Sequence, residues 1–266
     1  MNLDAKVITY ICLGLICFAT TLGASFVLFI KRKISPKASD LILGFASGIM
    51  IAAAIFGLLV PSINQAKELY ANWAVLPVIV GFLLGGLMLY ILDKVVPHIH
   101  ALQNKSEGPE NSNLTKQIKF VLAVTIHNIP EGLSVGFACA IALSSNEPGL
   151  AASALALAIG IAIQNVPEGA AVSIPLLGEG VKKSKAFGLG FLSGVVEPIA
   201  GVLAILIGTS LGKLLPWALA FAAGAMIYVT IDELLPTSRQ SENEHIGLWA
   251  FMIGFIVMLV LEIVLS

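Results

Sequence analysis

Apolar residues along this chain gather into eight long runs that are separated by short polar segments. Each run is close to or above the roughly 20 residues that an α-helix needs to cross the hydrocarbon layer of a bilayer. Nothing in the pattern suggests a soluble enzyme fold or a β-barrel. We therefore predict an all-α integral membrane protein, residues 1–266 forming a single transmembrane domain. The predicted spans are about 7–30, 41–63, 76–96, 118–143, 150–177, 186–211, 215–236 and 247–265.

Composition agrees with this class and excludes others. Hydrophobic residues make up 58% of the chain and charged residues only 12%, whereas soluble domains carry about 25% charged residues. The first run is longer than a signal-peptide core and ends in Lys31-Arg32-Lys33, so we expect it to remain as a spanning helix. The net charge of −1 says nothing about nucleic acid, because the Lys and Arg residues lie in loops between apolar runs, and we predict no nucleic-acid partner. Membrane lipid is its expected surrounding.

Loop charge predicts the orientation. Twelve of the 15 Lys and Arg residues lie in the loops after spans 1, 3, 5 and 7 or next to them. The positive-inside rule places those loops in the cytoplasm and both termini outside it, as in a multi-pass protein of the cell (inner or plasma) membrane. The longest cytoplasmic loop, about residues 97–117, has a polar middle without apolar periodicity, and we expect it to be mobile and solvated.

Two related motifs lie near the middle of spans 4 and 5: His-Asn-Ile-Pro-Glu-Gly at 127–132 and Gln-Asn-Val-Pro-Glu-Gly at 164–169. Residues four apart lie on the same face of a helix. His127 therefore shares a face with Glu131, and Gln164 shares a face with Glu168. The prolines free backbone carbonyls one turn earlier and predict a bend in each helix. Consecutive helices are antiparallel, and the two motif turns therefore meet as an inverted pair at mid-membrane, as in many transporters.

Three carboxylates, those of Glu131, Glu168 and Glu197, lie near the midpoints of spans 4, 5 and 6, where the chain has no Lys or Arg. A charge at that depth costs at least ~2.5–3.5 kcal/mol on insertion scales, so these groups need cations or protons. With one imidazole and the amides of Asn128, Gln164 and Asn165, they form a nitrogen and oxygen donor set. Such a set suits zinc, iron(II), manganese or cadmium. We predict a site for a divalent transition metal in transit, and two shared carboxylates could bridge two ions.

Further candidates keep two interpretations each. Asp232 and Glu233 at the cytoplasmic end of span 7, and Asp93, His98 and His100 at the end of span 3, are either solvated polar ends or a metal exit site. Met50 is either a core residue or a ligand. Pairs of glycines four apart allow close helix approach, either within the bundle or between two copies in a homodimer. These pairs are Gly44 and Gly48, Gly81 and Gly85, and Gly190 and Gly194.

At the motif residues the chain resembles the ZIP family of divalent metal transporters, most closely its bacterial GufA-like and ZupT-like branch. The resemblance covers all eight spans, with His-Asn-x-Pro-Glu-Gly as its specific signature. It implies an eight-helix bundle with both termini outside, uptake of zinc and often other divalent ions toward the cytoplasm, and a helix group that moves with its cargo.

Carried over by position, the resemblance implies a first metal site of His127, Glu131, Gln164 and Glu168, with Met50 contributing. It implies a second, adjoining site that shares both glutamates and adds Asn128, Asn165 and Glu197. The exit-site candidates match places where the family gathers ions. Many relatives have His in place of Gln164, and some have Asp in place of Asn165, so the second site of this chain carries less negative charge.

Other functions remain open from the residues alone. A proton- or sodium-coupled transporter of small solutes would need a cationic or aromatic substrate site, and none is visible at mid-membrane. An intramembrane metalloenzyme would need a metal-bound water and a positioned base, and the chain has no HExxH motif. We therefore predict that the chain is not an enzyme. Efflux and a channel-like route remain alternatives within metal transport.

Overall fold

The computed structural model describes residues 4–29, 35–96, 98–100, 105–107, 115–145, 148–178, 180–238 and 245–265. Within these ranges eight helical stretches are long and apolar enough to cross a membrane, which confirms the predicted class. The elements are α1 (Ala5–Phe29), α2 (Pro36–Ala52), a π-helical segment (Ala53–Leu59), α3 (Val60–Tyr70), α4 (Val75–Val95), β1 (His98–His100), β2 (Lys105–Glu107), α5 (Lys116–Ser144), α6 (Pro148–Gly178), α7 (Lys183–Leu211), α8 (Leu215–Val229), a second π-helical segment (Thr230–Leu234), α9 (Leu235–Thr237) and α10 (His245–Leu265).

The second span is longer than its apolar run predicts. It begins at Pro36, where the Ser35 hydroxyl caps the helix by accepting from the Ala38 backbone N–H at 3.3 Å. It then continues through the π-helical segment and α3 to Tyr70, beyond the expected end near residue 63. Hydropathy detects only the part that lies in hydrocarbon, whereas a helix continues wherever its backbone hydrogen bonds can form.

The loop of residues 97–117 contains structure that we did not predict. Its residues His98–His100 and Lys105–Glu107 pair as antiparallel strands, with His98 opposite Glu107 and His100 opposite Lys105. Backbone pairing between two short extended segments needs no apolar periodicity, so the pattern of the sequence did not reveal it. The rest of the polar middle lies outside the described residues, apart from Thr115.

The spanning helices pack as two groups. We call α1, α5, α6 and α7 the motif bundle, because α5 and α6 carry the two motifs. We call α2, α3, α4, α8 and α10 the flanking bundle. This division puts both motif turns and Glu197 in one bundle and leaves Met50, Asp93 and Glu233 in the other.

The glycine pairs predicted to bring helices together do so inside the chain. A Cβ at Gly48 would overlap the Phe251 carbonyl of α10, one at Gly85 would overlap the Phe221 carbonyl of α8, and one at Gly194 would lie 2.8 Å from the Thr20 side chain. These glycines therefore serve packing within one copy. A homodimer stays a prediction.

Proline does not interrupt the two motif helices. Helix α5 continues through Pro130, and α6 continues through Pro167 and Pro175. Each proline lacks the N–H that would bond the carbonyl four residues earlier. The bend predicted at these positions stays a prediction.

Candidate metal centre

The two motif turns meet through the side chain of Gln164. Its Nε2 donates to Oε1 of Glu131 on α5 at 2.5 Å and to Oε2 of Glu168, one turn along α6, at 2.6 Å. Gln164 and Glu131 are fully buried, while Glu168 is partly exposed. The expected inverted pair of motifs is thus present, with an amide placed between two carboxylates.

The third carboxylate, Glu197 on α7, lies against the same turns. Nδ2 of Asn165 donates to its Oε2 at 2.5 Å, and Nδ2 of Asn128 lies 3.3 Å from its Oε1. Asn128 also donates to the backbone carbonyl of Ser193 at 2.9 Å. Glu197 and both asparagines are buried. An amide therefore contacts each of the three acids: Gln164 joins Glu131 to Glu168, and the two asparagines bond Glu197.

The glycine that ends each motif allows this approach. A Cβ at Gly132 would overlap the Glu197 backbone carbonyl and lie 2.9 Å from the Ala200 Cβ. A Cβ at Gly169 would overlap the Thr20 backbone carbonyl of α1. The backbones of α5 and α7, and of α6 and α1, can contact each other only because these positions carry no side chain.

Glu233 lies closer to the centre than the sequence predicts. We predicted it at the end of span 7, either as a solvated helix end or as part of an exit site, and its carboxylate lies against Nδ1 of His127. Glu233 lies inside the π-helical segment Thr230–Leu234, whose wider turn rotates its side chains about the helix axis relative to an α-helix. Glu233 therefore brings a carboxylate from the segment that follows α8 into contact with the motif of α5.

The remaining predicted site residues differ in burial and in position. Met50 is buried, and its sulfur accepts from the Thr230 hydroxyl at 3.7 Å, so it lies near the turn that carries Glu233. Asp232 is exposed and Asp93 is buried at the end of α4. His98 and His100 belong to β1, and their side chains lie outside the described part of the structure.

Several buried oxygen atoms of the centre keep unused acceptor capacity. Among the described residues, the atoms Oε2 of Glu131, Oε1 of Gln164, Oδ1 of Asn128 and Oδ1 of Asn165 have no hydrogen-bond partner. Buried acceptors without donors are costly unless something positive satisfies them. The donor set therefore fits a cation.

The same part of the chain shows no group of three His, Cys, Asp or Glu side chains close enough to hold a metal ion. The amides account for this, since Gln164 lies between Glu131 and Glu168, and Asn165 and Asn128 cover Glu197. A primary amide presents two donors on nitrogen and an acceptor on oxygen. Turning the Gln164 amide about its terminal bond would present oxygen in place of nitrogen to an arriving ion.

Access to the centre is unequal on its two sides. Glu168 and Glu233 are partly exposed. On the opposite side, one to two turns along α6 and one turn along α5, the side chains of Ile161, Leu157 and Val135 are fully buried in the apolar core. The loop charges assign that buried side to the exterior and the partly exposed side to the cytoplasm.

Thr20 on α1 is a member of the network that sequence reasoning missed. Its hydroxyl donates to Oε1 of Glu197 at 2.6 Å, and the side chain is buried. In the sequence it is one of two adjacent threonines in an apolar run, and threonine in such a helix usually bonds its own backbone. No spacing relates it to either motif, so the sequence held no signal for this contact.

Eight spanning helices around a buried network of carboxylates and amides define a multi-pass membrane protein with a polar centre. The family model for the ZIP zinc transporter matches this chain over residues 3–118 and 103–262. The chain is 37% identical to the zinc transporter GufA of Myxococcus xanthus, over 93% of this chain and 95% of that protein. It is 34% identical to the human zinc transporter ZIP11 (92% and 93%) and 34% identical to the zinc transporter ZIPB of Bordetella bronchiseptica (93% and 78%).

The chain belongs to the ZIP family. This confirms the resemblance drawn from the motif residues, including its GufA-like character. These relatives are named as transporters and not as enzymes, in agreement with the prediction that this chain is not an enzyme.

Proposed function

We propose that this chain transports a divalent transition-metal ion, zinc first among them, across the cell membrane into the cytoplasm. Two observations support zinc: the named relatives are zinc transporters, and the centre combines an imidazole with carboxylate and amide oxygens. Zinc accepts such a mixture, and iron(II), manganese and cadmium are further candidates.

The ion would bind at the contact between the two motif turns. Glu131 offers a buried oxygen without a hydrogen-bond partner among described residues, and Gln164 offers its amide oxygen once the amide turns. Glu168 and His127 complete the proposed set. Carboxylate and amide oxygens bind zinc less firmly than thiolates, which suits a site that has to release its ion.

Release toward the cytoplasm is the direction that the access to the centre favours. Glu168 and Glu233 are the partly exposed members, on the side assigned to the cytoplasm. The ion pair between Glu233 and His127 gives a leaving ion an adjacent carboxylate. Glu233 would accept the ion from His127 as the first step of exit, and the exposed Asp232 would follow it.

Transport would require the motif bundle to move against the flanking bundle. His127, Glu131, Gln164 and Glu168 all lie on α5 and α6, whereas Glu233 lies next to α8. A displacement of the motif bundle would carry the bound ion away from Glu233 and open the exterior side, which is filled by apolar side chains here.

The deciding experiment is metal uptake into sealed liposomes that contain the purified chain. Zinc, iron(II), manganese and cadmium would be compared with and without a pH gradient, using a metal-sensitive dye inside the vesicles. Loss of a supporting group already costs 10–100-fold at metal sites, so Glu131→Ala and His127→Ala should each lower zinc uptake by at least about tenfold.

The matched control is Glu68→Gln, which removes a carboxylate from the exposed end of α3. It should leave uptake unchanged. Normal uptake of all four metals by both centre variants, with equal amounts of folded protein in the vesicles, would contradict the proposed site. Uptake of an organic solute in place of any metal would favour the coupled solute transporter.

A further inference from the structure

Glu197 differs from Glu131 because hydrogen bonds already occupy both of its oxygens. Oε1 accepts from the Thr20 hydroxyl at 2.6 Å and from Asn128 at 3.3 Å, and Oε2 accepts from Asn165 at 2.5 Å. In contrast, Oε2 of Glu131 has no partner within the described ranges. A carboxylate offers about four lone-pair positions, and three of those on Glu197 are therefore in use.

The contact from Thr20 is built by the packing of three helices. A Cβ at Gly194 of α7 would lie 2.8 Å from the Thr20 Cβ, and one at Gly169 of α6 would overlap the Thr20 carbonyl. Thr20 is 1% exposed. Its hydroxyl lies 2.6 Å from Glu197 and 3.2 Å from the carbonyl of Ile16 on its own helix, so the shorter bond goes to the carboxylate.

Asn165 strengthens the same arrangement. Its Nδ2 donates to Glu197 and lies 3.4 Å from the Ile16 carbonyl, so the amide nitrogen is held toward α1 and α7. Nitrogen of a neutral amide is a donor and not a metal ligand. A carboxylate at this position would not donate to Glu197 and would add a negative charge. It would therefore attract a nearby cation, whereas the amide does not.

We propose that Thr20 is a positioning residue that, with Asn128 and Asn165, holds Glu197 in the wall of the motif bundle and so limits the centre to one divalent cation per chain. Glu197 then supports the amides behind the ion and does not ligate it. A second ion that bound Glu197 through both oxygens would have to displace these donors. This inference rests on the proposed function, because it concerns the number of ions at the same centre.

The test is the number of zinc ions that the purified full chain binds in detergent, measured by equilibrium dialysis with elemental analysis. The native chain should bind one zinc per chain. Glu197→Gln should keep that ion and raise its Kd less than Glu131→Gln does, because the charge that is lost lies outside the ligand set, although a buried charge is little screened. Glu131→Gln should raise the Kd by at least about tenfold, as loss of a ligand does.

Thr20 is tested by a matched pair of substitutions. Thr20→Val keeps the shape of the side chain and removes the hydroxyl, which should free Glu197 and admit a second, weaker zinc ion. Thr20→Ser retains the hydroxyl and should keep one ion. Asn165→Asp should also admit a second ion, and it decides the question if Thr20→Val does not fold.

Two results would overturn the inference. One is a native chain that binds two zinc ions, and the other is a Glu197→Gln variant that loses its first ion as severely as Glu131→Gln. Retention of a single ion by both Thr20→Val and Asn165→Asp would exclude the role given to Thr20. Absence of saturable zinc binding, or unchanged binding in Glu131→Gln, would instead contradict the proposed function itself.

Discussion

The amide nitrogen of Gln164 donates to Oε1 of Glu131 at 2.5 Å, joining the second motif turn to the first. The same nitrogen donates to Oε2 of Glu168 at 2.6 Å, so one uncharged group bonds two acids. If the amide of Gln164 turned, its oxygen would face the carboxylates in place of its nitrogen. It would then be a metal ligand and no longer a hydrogen-bond donor. The contact therefore links the stability of the centre to the binding of its proposed cargo.

Replacing Gln164 with leucine should impair both the stability of the centre and the binding of the ion. A leucine side chain could neither donate to the two carboxylates nor ligate an ion, and we expect zinc uptake to fall by at least about tenfold. Gln164→His is the matched comparison, because imidazole is a good zinc ligand and should preserve uptake while shifting preference from manganese toward zinc. Competition between the two metals in proteoliposomes measures both effects, and equal loss in the two variants would argue against a ligand role.

Glu233 and Asp232 are adjacent acids in different environments, which permits a paired test. Glu233 pairs with His127, whereas Asp232 is exposed. Removing the Glu233 carboxylate takes away the group beside His127 that we propose as the first acceptor of the leaving ion. Glu233→Gln should therefore slow zinc uptake by about tenfold, and Asp232→Asn should change it less than about twofold, since exposed charges contribute little. Initial rates at saturating zinc distinguish them, and a reversed order would place the exit step at Asp232.

Gly132 should not tolerate even a methyl group. A Cβ there would overlap the Glu197 carbonyl, so Gly132→Ala has to separate α5 from α7. Overpacking of this kind typically costs about 1–3 kcal/mol of folding free energy. Gly14→Ala is the control, because nothing lies within 4 Å of its added Cβ. Thermal unfolding in detergent should show a lower midpoint for Gly132→Ala alone, and equal midpoints would mean that the helices adjust without cost.

Two turns, one at Ala71 and one at Gly212, have nearly the same unusual backbone conformation. Ala71 has φ 48° and ψ −116°, and Gly212 has φ 48° and ψ −112°. Non-glycine residues in such sparsely populated regions carry about 1–3 kcal/mol of strain. Ala71→Gly should therefore raise the midpoint of thermal unfolding, and Gly212→Ala should lower it. A decrease in both variants would show that the Ala71 side chain contributes more by packing than its backbone loses by strain.

Movement between the bundles can be blocked at Gly160 on α6 and Met258 on α10. A Cβ at Gly160 would overlap the Met258 sulfur, so the two bundles touch here. In a chain without its three native cysteines, Gly160→Cys combined with Met258→Cys should crosslink on oxidation and stop zinc uptake, and reductant should restore it. Each single variant serves as the control. Uptake that continues at a normal rate while the crosslink is complete would exclude relative motion at this contact.

Much of the fold and part of the centre could be predicted from the sequence. The hydrocarbon layer demands long apolar runs, so eight spans are visible in the order of residues. The cost of a buried charge makes Glu131, Glu168 and Glu197 conspicuous, and spacing by four places His127 and Gln164 on the faces of their glutamates. These deductions need only distances along one helix and depth in the bilayer.

The tertiary structure decided which groups contact each other across helices. Thr20 reaches Glu197 because Gly169 and Gly194 let three backbones approach, and Glu233 reaches His127 from within a π-helical segment. Both contacts depend on the rotation of a helix about its own axis and on which helix lies beside it. Hydrophobic periodicity in lipid leaves that rotation weakly defined, since the lipid-facing and core-facing sides of a spanning helix are both apolar. Close packing against the neighbouring helices determines it.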